Sequence, residues 1–179
     1  MALQDYNEEY RVERKNKNVV ICIYQKPLSD NNHINYSIEK LQKSLFQNLD
    51  EETVLCKAFV FSDDGNVCAR DFEQTDSENI YYADFCKKES DLSHIWFMAM
   101  ALLEKKTLED EKNGVLSDNY IYLVTDEVFK RSYAEKIKNS LRFKELKTTP
   151  ILVKCEKAGG GSLEEYMRKE GKIYLDTDL

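Results

Sequence analysis

Apolar and polar positions change their period several times along the chain, and each change marks an element. NVVICIY, 18 to 24, is a continuous apolar run suited to a central strand covered on both faces. INYSIEKLQKSLFQNL, 34 to 49, then places Ile34, Ile38, Leu41, Leu45 and Leu49 at helical spacing. TVLCKAFVFS, 53 to 62, reads as a second strand, DDG at 63 to 65 as a turn, and NVCARDF, 66 to 72, as a shorter returning strand, so this pair predicts a hairpin at one sheet edge. From 73 to 88 the sequence is polar with scattered aromatics, which suits a loop with a short helix. Ser90 stands as the N-cap of DLSHIWFMAMALLEKK, a helix expected to reach about Lys106. Beyond the polar stretch 107 to 118 come the strand NYIYLVTD, a helix over 130 to 143, the strand TPILVKC, the loop EKAGGG, the helix SLEEYMRKE and, after Gly171, the short strand KIYLDT.

Strands alternating with helices predict an α/β fold: a doubly wound, mostly parallel six-stranded sheet with one antiparallel edge strand, layered between helices on both faces. The expected strand order is 3-2-1-4-5-6. Residues 1 to 17 read as an N-terminal extension and 18 to 179 as a single domain, a length that buries a continuous core.

Composition removes several classes of function. At 42% hydrophobic and 33% charged residues the chain is ordinary for a globular protein. Its longest apolar run, IWFMAMALL at 95 to 103, is nine residues against roughly 20 for a bilayer span, so no membrane helix is expected. The N-terminal segment MALQDYNEEYRVERKNK has no apolar stretch after its charges, so no secretory signal is expected and the cytoplasm is the default compartment. The net charge of −7 is spread without any run of like charge, which argues against nucleic acid as a partner. None of the spacings among Cys22, Cys56, Cys68, Cys86 and Cys155 forms a CxxC pair. Cys22, Cys56 and Cys155 fall within apolar runs and are expected to be buried, reduced thiols.

Four stretches, taken in order, resemble the von Willebrand factor A (vWA) domain family over about residues 18 to 177: VVICIY before an amphipathic helix, the hairpin AFVFSDDGNV, SDLSHIWFMAMALL, and IYLVTD. The tail, with a glycine-rich loop, SLEEYMRKE, a glycine and KIYLDT, is similar to that family's last helix and strand. The resemblance implies a site for a divalent cation at the C-terminal edge of the sheet, made from an Asp-x-Ser-x-Ser loop after the first strand, a threonine before a later helix, and an aspartate after the fourth main strand. On this chain the aspartate falls at Asp126 and the threonine at Ser90. The first loop departs from the pattern, because Tyr24, Lys26 and Leu28 stand where the aspartate and the two serines belong. Three oxygen ligands are lost and an ammonium is added, so magnesium is not expected and no cofactor is assigned. Lys26 could pair with Asp126 instead. A weak site completed by Asp91, Glu127 or Ser29 and Asp30 is the alternative.

Other candidate chemistry is thin. His33 lies in a polar stretch and His94 near the start of the apolar helix, neither with a nucleophile and acid at a recognised spacing, so both read as structural. GGGS at 159 to 162 lacks the GK[ST] ending of a phosphate loop. Asp63 and Asp64 suit a hairpin turn. The all-apolar IWFMAMALL leaves its helix no polar stripe. Either the loop 73 to 86 covers it with Tyr81, Tyr82 and Phe85, or it is an interface anchored by Trp96 with Met98 or Met100. The functional expectation is a non-enzymatic protein-binding or scaffold module of the vWA type with a degenerate metal site, in a larger cytoplasmic bacterial assembly, its partner another protein or a second copy. The alternative is a small hydrolase-like α/β enzyme using Asp126 and Ser90.

Overall fold

The computed structural model describes residues 14–24, 31–63, 65–74, 92–125, 148–154 and 172–175. In chain order these hold β1 (Lys15–Tyr24), α1 (Asn31–Gln47), β2 (Thr53–Asp63), β3 (Asn66–Gln74), α2 (Leu92–Lys112), β4 (Leu116–Thr125), β5 (Thr149–Lys154) and β6 (Lys172–Leu175). The sheet is mixed and mostly parallel, with β2 and β3 its antiparallel pair. Strand order is β3-β2-β1-β4-β5-β6. The body of the sheet is the four long strands β1 to β4, and β5 and β6 continue it as strands of six and four residues. The helices expected over 130 to 143 and 162 to 170 lie outside the described residues.

β1 sits at the centre because its residues suit both faces at once. Val19, Ile21 and Ile23 face one way and join Ile34, Ile38, Leu41 and Leu45 of α1 in one apolar cluster. Val20, Cys22 and Tyr24 face the other way and join Leu92, Ile95, Trp96, Ala99, Met100 and Leu103 of α2 in a second. Among the described residues, one helix therefore covers each face. The strand starts at Lys15, three residues before the apolar run, in register with Thr53 of β2 and Leu116 of β4. Backbone pairing holds these first residues in the sheet although their side chains are polar.

α2 runs six residues past the end its apolar pattern suggested, to Lys112. Its last turn closes when Gly114 takes a positive φ of 66°, the left-handed conformation glycine adopts without strain. The amide of Val115 then donates to the carbonyl of Asp110 at 2.9 Å, and the chain enters β4. Among the described residues no helix is long and apolar enough to cross a membrane. Cys22 and Cys56 are buried and free, as their apolar setting implied, and burial pushes both thiols up. His33 falls within α1 rather than in a loop.

Candidate functional site

Parallel strands β1 and β4 end side by side, with Tyr24 in register with Thr125. Continuing the pairing of Cys22 with Val60 by two residues brings Ser62 of β2 to the same level. Ser62, Tyr24 and Thr125 are all buried, and they form a polar row across the C-terminal edge on the face that α2 covers. α2 begins at this edge, since Leu92 and Tyr24 share one cluster. Ligands of open α/β sheets bind at such an edge. Ser90 and Asp126, which the resemblance assigns to a cation site, lie outside the described residues, as do Lys26 and Leu28. Tyr24 is the described member of that set. Its ring is 2% exposed and packed among the residues beneath α2. It supplies a phenol within an apolar cluster where the family supplies a carboxylate, which does not fit a hard dication.

The outer face of α2 carries the exposed apolar surface. Phe97 is 63% exposed, Met98 37% and Leu108 53%. Trp96 and Met100 are instead buried in the core cluster, so as projecting anchors they are corrected. The reason is the helical period: Leu92, Ile95, Trp96, Ala99, Met100 and Leu103 recur at three- and four-residue steps and share the sheet-facing side. Phe97, Met98 and Ala101 fall on the opposite side, where an unbroken apolar run hides the distinction. A shallow cavity of about 400 Å³ lies along this outer face, lined by Ala101, Glu104, Lys105, Leu108, Glu109 and Lys112.

The far end of α2 is locked to the sheet by a buried carboxylate. Asp110 Oδ1 accepts from Asn16 Nδ2 at 2.9 Å and from Lys106 Nζ at 2.7 Å. Its Oδ2 accepts from Asn18 Nδ2 at 2.8 Å and from Ser117 Oγ at 2.5 Å. Asn119 adds a second layer, accepting from Asn18 at 3.2 Å and donating to Thr107 Oγ1 at 2.9 Å. Burial pushes the Asp110 pKa up, but the hydrogen bonds from Asn18, Lys106 and Ser117 outweigh it, and the net direction is below the ordinary aspartate value. The Oδ1 atoms of Asn16 and Asn18 are buried without a hydrogen-bond partner, a setting that suits ordered water. This cluster lies at the N-terminal ends of β1 and β4, opposite the edge where Tyr24 and Thr125 stand. It ties α2 to β1 and β4.

Sequence reasoning missed this cluster, although two signals were present. Asparagines alternate at 16 and 18 ahead of a strand, and Asp110 lies in a helix's last turn, where the dipole disfavours an anion.

A second buried polar pair joins α1 to β2. Lys57, 7% exposed, donates to Gln42 Oε1 at 2.9 Å. Burial first, and the neighbouring Arg70 second, lower the Lys57 pKa. Because the folded value lies below the ordinary 10.5, the fold gains stability as pH rises from the lowered value toward 10.5. Replacing both partners, Lys57→Met with Gln42→Leu, should raise stability by about 1 kcal/mol at pH 7. Urea titrations at pH 7 and pH 10 would show this advantage shrinking at the higher pH.

No protein-family model matches the chain, and no curated protein matches it either.

Proposed function

We propose that the chain is a non-enzymatic protein-binding or scaffold module built on the six-stranded, doubly wound vWA architecture, with a degenerate metal site and a protein partner. The observation that carries this reading is the outer face of α2. Three of the five large apolar side chains exposed among the described residues, Phe97, Met98 and Leu108, lie on that one helix. Large apolar surface gathered on one face marks interaction sites more often than enzyme chemistry. The Asp110 cluster holds that face in place from behind.

The test is photocrosslinking of the whole chain in an extract of its source cells, with a benzophenone amino acid at Phe97 and, as control, at the exposed Glu51. Protein adducts should form from position 97 well above those from 51. Equal adducts from both positions, or a hydrolytic activity lost in Ser90→Ala and Asp126→Ala, would overturn the reading in favour of an enzyme.

The degenerate site makes a separate expectation. Calorimetric titration of the isolated chain with magnesium or manganese should show no micromolar binding, and Asp126→Ala should behave the same. Micromolar binding that vanishes in Asp126→Ala would establish a working cation site despite Tyr24, Lys26 and Leu28.

A further inference from the structure

Asn113 is the only asparagine of the chain that glycine follows. Gly114 is there for its backbone: its φ is 66°, and a side chain on it would meet nothing within 4 Å, so conformation rather than space selects glycine. Asn113 is exposed at the end of α2, and its carboxamide makes no hydrogen bond among the described residues. We propose that Asn113 and Gly114 form a site of spontaneous deamidation, and that the buried Asp110 cluster sets its rate.

The reaction needs water and no other reactant. The Gly114 amide nitrogen loses its proton to solvent base and attacks Cγ of Asn113, with no side chain on the glycine to hinder it. The new N–Cγ bond closes a succinimide ring as the Cγ–Nδ2 bond breaks and ammonia leaves. Water then opens the ring at one carbonyl or the other. One product is aspartate; the other is isoaspartate, whose main chain runs through Cβ and Cγ.

While the helix cap is closed the first step is blocked. The Gly114 N–H donates to the carbonyl of Glu111 at 3.1 Å and the Val115 N–H to that of Asp110 at 2.9 Å, the paired bonds of a Schellman cap. The N–H of Asn113 is shared between the carbonyls of Glu109 and Asp110, at 3.2 and 3.1 Å. Attack therefore waits for a local opening that frees the Gly114 nitrogen. Asp110 governs that opening twice over. Its carbonyl closes the cap, while its carboxylate accepts from Ser117, just beyond the cap in β4, and from Asn16 and Asn18 in β1. Isoaspartate cannot restore the cap. One extra main-chain carbon separates positions 113 and 114, and a free carboxylate is left at the C-terminus of α2, where the helix dipole opposes an anion.

Peptide mapping of the full chain aged in mildly alkaline buffer, with fragmentation that separates isoaspartate from aspartate, tests the site. Isoaspartate should build up at position 113 of the folded parent, several-fold more slowly than in the same chain unfolded in guanidinium. It should be absent from Asn113→Gln, whose longer side chain closes a ring far more slowly. Ser117→Ala takes one donor from Asp110 and should convert several-fold faster than the parent, its folding checked by circular dichroism. The parent in guanidinium too dilute to unfold it should also convert faster. In the converted fraction, separated by anion exchange, the amides of Gly114 and Val115 should have lost the protection from hydrogen exchange that the parent gives them. A folded parent that stays unconverted after the unfolded chain has fully reacted would overturn the site. Equal rates in folded and unfolded chains, or the parent rate in both Ser117→Ala and dilute guanidinium, would overturn control by the Asp110 cluster. Retained protection would overturn the loss of the cap. None of these results bears on protein capture at position 97.

Discussion

Replacing Asp110 with alanine should cost about 3 to 5 kcal/mol of folding stability, one of the two largest single-residue effects expected here. The carboxylate is 2% exposed and receives four side-chain donors, two on each oxygen. Removing it leaves the Lys106 ammonium, whose side chain is 16% exposed, without its anion. It also leaves the Nδ2 of buried Asn16 without its acceptor and takes from the Nδ2 of buried Asn18 the shorter of its two hydrogen bonds. Stranded donors, rather than lost attraction, make the cost large. Asp110→Asn should be nearly as harmful, because its amide places a donor against at least one of those four donors. Urea unfolding followed by far-UV circular dichroism would measure both losses, and a change below about 1 kcal/mol would show that the cluster is not a structural clasp.

The same residue sets an acid limit. The folded pKa of Asp110 lies below the ordinary value of 3.8, so its contribution is fully present above that value. It is lost as pH falls below 3.8 through the folded value. Parent stability should therefore fall more steeply with acid than that of Asp110→Ala, and the two curves should converge at the lowest pH.

Much of the fold was legible because hydrophobic period reports burial directly. The runs 18 to 24, 53 to 62 and 66 to 72 and the helix spaced from Ile34 to Leu45 all correspond to elements found in place. What escaped was whatever the period does not encode. Strand β1 begins at Lys15 and α2 ends at Lys112 because polar side chains there satisfy one another across elements 92 to 94 positions apart in sequence. A local pattern cannot show that. Asn16 and Asn18 read as solvated until Asp110 is brought beside them. The candidate edge site was legible only as a location: Tyr24 and Thr125 stand where strand ends were expected, while Ser90 and Asp126 lie outside the described residues. The helix itself was legible, yet its inward and outward residues were confused, because nine apolar residues in a row carry no contrast from which to read a face.

That confusion leads to the second large effect. Trp96→Ala should destabilise the chain by about 3 to 5 kcal/mol, whereas Phe97→Ala, one position on, should stay within about 0.5 kcal/mol of the parent. Trp96 is 3% exposed within the cluster that joins α2 to β1, β2 and β4, so truncation opens a void in the close-packed layer under the helix. Phe97 is 63% exposed, and most of its ring leaves water in neither state of the isolated chain. The binding readouts should divide the opposite way. Phe97→Ala should lose most protein capture, read with the benzophenone amino acid moved to the exposed Ala101, while keeping its urea midpoint. At temperatures where the Trp96→Ala chain remains folded, it should retain capture, because the outer face of α2 is unchanged. A Trp96→Ala chain that kept parent stability but lost capture would return Trp96 to the interface and place the core of this domain elsewhere than beneath α2.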